Sequence, residues 1–425
     1  MKPYKKISII SLVIIFMVLI TININNKMLY PQVKAYTNSE DVTDIALSPG
    51  KNPTELNYNW YSKDGDKKSA VQIALKSDMD SDEFPINKAK TFYGEISKAN
   101  DDFFANKVIV QGIEESKEYV YRLGDGTNWS KVYNFSSRNP NQFSFFCAGD
   151  PQIGASGNIA SDEKGWINTI NNATNKFPNA SFLISVGDQI NKGNNEQQYT
   201  AYFAPKQFQS LPIAAVAGNH EGSSKGHTYH FNPPNMKNPG DDYDFKYGDA
   251  LFLMLNSNNT NEDEHASFME KTINENPNAK WKIVVLHHSL YSSGGHEDDS
   301  AIVERRNALV PVFDKLGIDV VLSGHDHSYT RTYQMQGGKA MGKTEKGMDG
   351  AILNPTGTLY ITENSASGSK YYKIDSKNNS YYEAFKQQIK VPTISVINVD
   401  KNSFEINTYR TDNMEVTDKY KIVKS

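Results

Sequence analysis

The sequence predicts two units in tandem, a β-sandwich followed by an α/β domain. Three observations carry this. Residues 41–136 read as short β-runs separated by Gly, Asp, Asn and Lys turns, with no helical stretch between them. Five short apolar runs between residues 143 and 322 read as buried strands of a parallel sheet. Each of those five runs stops at a small group of carboxylate, amide or imidazole side chains.

The sandwich rests on Leu56-Asn57-Tyr58-Asn59-Trp60-Tyr61, Val71-Gln72-Ile73-Ala74-Leu75, Tyr119-Val120-Tyr121-Arg122-Leu123-Gly124-Asp125-Gly126 and Trp129-Ser130-Lys131-Val132-Tyr133-Asn134-Phe135. These alternate or run apolar, and are rich in β-branched and aromatic residues. In the second unit the expected strands cover 143–148, 180–186, 213–217, 283–286 and 318–322. A helix is expected over 162–176, with Trp166, Ile167 and Ile170 on one face. Another is expected over 301–316, with Ile302, Leu309, Val312 and Phe313 inward. Further strands are expected at 358–362, 393–397 and 403–407. Residues 221–240 and 339–354 read as loops that wall a pocket.

The motifs at the strand ends are Gly149-Asp150-Pro151-Gln152, Gly187-Asp188-Gln189, Gly218-Asn219-His220-Glu221, His287-His288 and Gly324-His325-Asp326-His327. In open α/β sheets, ligands gather beyond the carboxyl ends of the strands. Carboxylates from Asp150 and Asp188, one of them bridging, can join a carbonyl oxygen of Asn219 and the imidazoles of His287, His325 and His327 to fill two coordination shells. That mixed N/O set suits Zn, Fe, Mn, Co or Ni better than Ca. Ions paired in this way sit roughly 3.5–4 Å apart and lower the pKa of bound water.

This motif series resembles the calcineurin-like metallophosphoesterase superfamily, and within it most resembles the purple acid phosphatases. The resemblance extends to the N-terminal unit, which looks like their fibronectin type III-like sandwich. It implies an α-β-β-α four-layer catalytic domain and a division into 1–35, a signal peptide; 36–139, the sandwich; and 140–425, the phosphoesterase domain. It implies Asp150 and His327 at a first metal, Asp188 bridging, and Asn219, His287 and His325 at a second. His220 would contact the phosphoryl group. His296, in Tyr291-Ser292-Ser293-Gly294-Gly295-His296, would contact substrate and protonate the leaving oxygen.

Two positions depart from the family pattern. Where purple acid phosphatases carry the tyrosine that gives their colour with ferric iron, this chain has Asn191. No purple colour is expected, and a weaker preference for ferric iron. Most of the superfamily has Asp-x-His in the first motif; here it is Asp150-Pro151-Gln152. Gln152 is a weak, neutral ligand candidate. Asp-x-Gln resembles a minority branch that includes manganese-dependent hydrolases of ADP-ribose and CDP-alcohols. The cofactors implied are two divalent ions, with Fe, Mn and Zn left open.

Composition narrows the remaining classes. Formal net charge is -4, so no basic surface points to a nucleic-acid polymer. Lys2, Lys5 and Lys6, the apolar run 7–22 and Val33-Lys34-Ala35 read as a signal peptide. The run is short for a membrane span of about 20 residues, so no stable membrane insertion is expected after processing, and a secreted or surface location is, with an uncleaved N-terminal anchor as the alternative. The single cysteine, Cys147, lies in an apolar strand and reads as a small buried hydrophobe. His227, His230 and His265 lack a ligand-rich context and read as surface or loop residues, and His288 as a partner of the metal ligands. The expected function is hydrolysis of small phosphate esters by a metal-bound hydroxide. The alternatives are a nucleotide phosphodiesterase or pyrophosphatase, and a non-catalytic surface binding protein. Oligomeric state stays open.

Overall fold

In the computed structural model the described residues are 42–425, apart from 64, 66–67, 223, 239, 342–345, 347–349 and 375–379. The expected signal peptide lies outside them.

Seven strands build the N-terminal unit, in the order Thr43–Pro49, Glu55–Ser62, Phe104–Gln111, Lys90–Lys98, Ser69–Leu75, Glu118–Gly124, Tyr133–Ser136. The ladder folds on itself at Lys90–Lys98. The first half of that strand, Lys90 to Gly94, pairs with Ser69–Leu75, and its second half, Glu95 to Lys98, pairs with Phe104–Gln111. Side chains alternate, so every second residue points inward. Leu56, Tyr58, Trp60, Val108 and Val110 from one half meet Val71, Ile73, Tyr121 and Leu123 from the other. Tyr58 and Tyr121 pack edge-on across the gap, with ring centroids 4.9 Å apart. The strand expected from Trp129 begins only at Tyr133. Before it the Ser130 hydroxyl takes the Leu123 N–H, and the chain turns there instead.

The second unit is two seven-stranded sheets packed face to face with helices outside, the α-β-β-α arrangement that the family resemblance implies. One sheet runs Ile213–Ala215, Leu183–Ser185, Gln142–Ala148, Thr393–Asp400, Ser403–Arg410, Val416–Val423, Ile352–Leu353; the first three are parallel. The other runs Tyr243–Tyr247, Ala250–Met254, Trp281–Val285, Val320–Ser323, Leu359–Thr362, Tyr329–Thr332, Glu383–Gln387, with a parallel centre. Phe145, Ile184 and Ile397 interleave with Phe252, Ile283 and Leu322 between the sheets. Trp166, Ile170 and Ala173 seat the helix Ile159–Lys176 on the outer face of the first sheet. Leu309, Val310 and Phe313 seat the helix Ser300–Leu316 on the outer face of the second, beside the helix Glu262–Glu275.

The strands expected in the second unit are all present, with several limits shifted by two or three residues; the strands Tyr243–Tyr247, Ala250–Met254, Tyr329–Thr332, Glu383–Gln387 and Val416–Val423 and three helices, Glu196–Tyr202, Gly226–His230 and Glu262–Glu275, were not expected. Two of these carry histidines read as exposed. His227, His230 and His265 are instead buried, at 6%, 0% and 1% exposure. Each buried ring of His230 and His265 meets a carboxylate: His230 Nε2 lies 2.8 Å from Glu196, and His265 Nδ1 lies 2.6 Å from Asp242. These partners are 34 and 23 residues away in sequence, which is why local context did not reveal them. The loop 339–354 contributes a short hairpin, Lys339–Ala340 with Met335–Gln336, and an edge strand, Ile352–Leu353. Cys147 is fully buried in the core between the sheets.

Candidate dinuclear metal centre

The parallel strands of both sheets end at one place. Asp150 follows Gln142–Ala148, Asp188 follows Leu183–Ser185 and Asn219 follows Ile213–Ala215. From the facing sheet, His287 follows Trp281–Val285, and His325 and His327 follow Val320–Ser323. Asp150, Asp188, His287 and His327 are at most 2% exposed, whereas His325 is half-buried.

Two donor groups share one residue. Ligand atoms of Asp150, Asp188 and His327 lie within 4.8 Å of one another, and so do those of Asp188, His287 and His325. His287 Nε2 is 3.0 Å from Asn219 Oδ1, 3.4 Å from Asp188 Oδ2 and 3.2 Å from His325 Nδ1. The far nitrogens are fixed by the backbone: His287 Nδ1 donates to Val186 O at 2.9 Å and His327 Nδ1 to Lys370 O at 3.0 Å. That leaves both Nε2 atoms facing the carboxylates. Buried carboxylates and imidazole nitrogens converging with Asp188 common to both groups fit a pair of divalent cations.

The loops that present these side chains are held tightly. Glu221 is 1% exposed and accepts backbone N–H groups from Gly218 (2.7 Å), Asp188 (3.0 Å) and Ile190 (3.0 Å), so one carboxylate ties the second motif to the third. Asp188 Oδ1 takes the His220 N–H at 3.0 Å, and both oxygens of Asp150 take the His325 N–H, at 2.9 and 3.0 Å. These carboxylates press against glycine. A Cβ on Gly218 would stand 2.1 Å from Asp188 Oδ1, and one on Gly324 would stand 2.4 Å from Asp150 Oδ2. Asp150, Gln152, Asp188, His325 and His327 all have positive φ, from 36° to 74°. Backbone strain of about 1–3 kcal/mol per residue, concentrated at a site, is held by the surrounding structure.

Electrostatics follow from burial and crowding. Burial drives the Asp150 carboxyl well above the usual carboxylate range, with Asp188 adding to it and His287 opposing. Burial acts on Asp188 in the same direction, but His287 and His220 outweigh it and hold the group low. For His287, burial is overturned by Asp188 and Asp150, which lift it to about 10. Burial and neighbouring imidazoles push His325 down, and burial brings His327 down to about 4 and His288 to about 2. His288 Nδ1 is 2.8 Å from the Ser257 hydroxyl and its ring packs on His325.

The two histidines expected at substrate flank this centre. His220 Nε2 is 4.0 Å from Asp188 Oδ2, while its Nδ1 is 2.9 Å from Asn191 O. The His296 ring lies 4.6 Å from that of His325, and its Nδ1 is 2.8 Å from Asp299 Oδ2. Gln152 is 1% exposed. It donates its amide to Asn191 Oδ1 at 3.2 Å, and its carbonyl oxygen is buried without a partner.

Other contributors were not singled out from sequence. Asp326 sits between the two histidines of the fifth motif and accepts the His296 N–H at 3.2 Å, fixing the loop that carries it. Tyr372 packs against both His296 and His327, and Lys370 donates to its hydroxyl at 2.6 Å. Glu363, next after Leu359–Thr362, is fully buried against Gly149, with both carboxyl oxygens unpartnered. Burial pushes the carboxyl up to about 8, with the neighbouring Ser395 and Cys147 opposing the rise. A folded-state pKa above the unfolded one means the folded chain holds a proton that the unfolded chain has lost. Stability therefore falls as pH rises from about 4.5 to about 8. Glu363→Gln is expected to flatten that fall and raise Tm at pH 9 relative to wild type, read by thermal melts across pH; a parallel loss in both proteins would contradict it.

Comparison with known proteins agrees with this architecture. Residues 143–329 match the family model described as calcineurin-like phosphoesterase, and residues 42–137 match that described as purple acid phosphatase, N-terminal domain. Acid phosphatase type 7 of Mus musculus is 22% identical over 294 residues, covering 62% of this chain and 64% of that protein. The Danio rerio protein of the same name is 22% identical over 302 residues, covering 62% and 65%. The chain thus spans just under two thirds of the length of these relatives. A purple acid phosphatase from yellow lupin (Lupinus luteus) seeds superposes with a TM-score of 0.75 at 18% identity, over 90% of this chain and 74% of that one, a likeness of fold.

Proposed function

We propose that this chain, which carries a calcineurin-like phosphoesterase domain behind a purple acid phosphatase N-terminal domain, is a metal-dependent hydrolase of small phosphate esters. The observation that carries the reading is the pair of donor groups joined through Asp188. Asp150, Asp188 and His327 would hold one cation, with Gln152 as its neutral ligand; Asp188, Asn219, His287 and His325 would hold the other. Bound there, such ions activate water near neutral pH and neutralise phosphate charge.

The protein's own side chains supply the rest. His220, oriented by Asn191 O, faces the Asp188 side and offers Nε2 to a phosphoryl oxygen. His296 stands over His325 and beside Tyr372, where it can give a proton to the leaving oxygen. Its Nδ1 contact to Asp299 and the Asp326 grip on its backbone hold the ring in that direction. Both histidines are thus held in place before a phosphate ester binds.

The test is hydrolysis of p-nitrophenyl phosphate against bis-p-nitrophenyl phosphate by residues 36–425, metal-stripped and then resupplied with Mn, Zn, Fe or Ni. Turnover that returns only with metal is the expected result. No turnover with any metal, from folded protein, would overturn the reading. A second reading, a phosphodiesterase or pyrophosphatase, is favoured by the unpartnered Gln152 carbonyl in the first motif; preference for the diester would select it.

A further inference from the structure

The sandwich meets the phosphoesterase domain through a group of ionisable side chains that the phosphate site does not use. Asp44 lies in the first strand, Thr43–Pro49, at φ 48°. Glu196 opens the helix Glu196–Tyr202, and His230 closes the helix Gly226–His230. One ligand atom from each lies within 4.8 Å of the other two. Glu196 and His230 are buried, and Asp44 is half-buried.

The group is built rather than incidental. His230 Nε2 is 2.8 Å from Glu196 Oε2, while its Nδ1 has no partner, so the ring makes its polar contact towards the carboxylates. That ring is clamped between Tyr61 and Tyr199, with centroids 4.2 and 4.0 Å away. Asn100 Nδ2 donates to Glu196 Oε1 at 2.8 Å, fixing the carboxylate from the sandwich side. The Tyr61 hydroxyl is fully buried and has no hydrogen-bond partner. It stands close enough to Glu196 and Asp44 that their charges add to burial in raising its pKa.

The charges do not balance. Two carboxylates meet one imidazole, and even a protonated ring would leave one negative charge unmatched and poorly hydrated. Among the described residues no Lys or Arg forms an ion pair with Asp44 or Glu196. Burial drives the Asp44 carboxyl up to about 6, with Glu196 adding to the rise and His230 opposing it. A cation relieves all of this at once.

We propose that Asp44, Glu196 and His230 form a separate binding site for one divalent cation of the zinc or manganese kind, with the Tyr61 hydroxyl facing it. Two carboxylate oxygens and one imidazole nitrogen are a donor set those ions accept. The position gives the ion a job. Glu196 lies 8 residues after Asp188 and His230 lies 11 after Asn219, so an ion here braces two segments that leave the phosphate site, against the first strand of the sandwich.

The test counts metal. The full chain is equilibrated with Zn or Mn, desalted and measured for metal per chain. Asp44→Asn combined with His230→Gln is expected to hold one equivalent less than wild type, with p-nitrophenyl phosphate turnover retained. Equal metal content in the two proteins would overturn the proposal and leave a proton-sharing cluster. If the double variant fails to fold by circular dichroism, the converse variant decides. Asp188→Asn with His325→Ala dismantles the phosphate site, and it should still hold one equivalent; none bound would overturn the proposal. This count does not depend on whether the phosphate site turns over any ester.

Discussion

Asp188→Asn is expected to lower metal-dependent ester hydrolysis by at least about 10²–10³-fold, the scale on which a preorganised charge at a reacting centre matters. Asp188 is the residue common to both donor groups, and its Oδ1 also takes the His220 N–H. The amide is nearly the same size, so the fold should survive. It carries no charge, however, and presents one acceptor where the carboxylate presents two, so it cannot serve both groups. The measurement is initial rate with p-nitrophenyl phosphate, beside metal content and a thermal melt. A folded variant with full metal content and wild-type turnover would refute the bridging role. A binding protein without catalysis predicts a different result: wild type itself would show no metal-dependent turnover.

Glu221→Ala is expected to be the most damaging substitution that removes no proposed ligand. It strands three buried N–H groups, on Gly218, Asp188 and Ile190. An unsatisfied buried donor costs about 1–3 kcal/mol, so a total loss of several kcal/mol follows, a large share of the ~5–15 kcal/mol that holds a domain together. Loss of this support should also weaken metal binding by about 10–100-fold. Glu221→Gln keeps one acceptor oxygen but turns an amide NH₂ towards N–H donors, so its effect should fall between wild type and Ala. Denaturant melts and metal titration read both effects. A Glu221→Ala protein with wild-type stability would show that the three bonds are replaced by water.

The contrast between Asp188 and Glu221 marks what could be read in the sequence. Asp150, Asp188, Asn219, His287, His325 and His327 were legible because each stands just past an apolar run, and the end of a parallel strand is where such a side chain becomes available to a ligand. Their convergence follows from the sheets: three strands of one and two of the other end at the same edge. Glu221 stood in a motif, yet nothing local said that it would accept from a loop 31–33 residues earlier. Asp326 was hidden between two more conspicuous histidines. Lys370 and Tyr372 follow the last motif by more than forty residues, in a segment with no periodic pattern. The helices Glu196–Tyr202 and Gly226–His230 are too short to show an amphipathic repeat, and so the burial of His227 and His230 was missed.

The sequence by itself determined the tandem architecture, the order of the strands that carry the site and the chemical kind of six of its side chains. Those follow from periodicity and from residue type, which are local. Tertiary structure alone decided the pairings made across long stretches of chain: Asp150 with the His325 backbone, Glu221 with three amides, Glu363 shut without a partner beneath Gly149, and Asp44 brought to Glu196 and His230. Each depends on a contact between segments far apart in the chain, and the energy of burying a charge there is set by what the fold places around it rather than by the residues beside it in sequence.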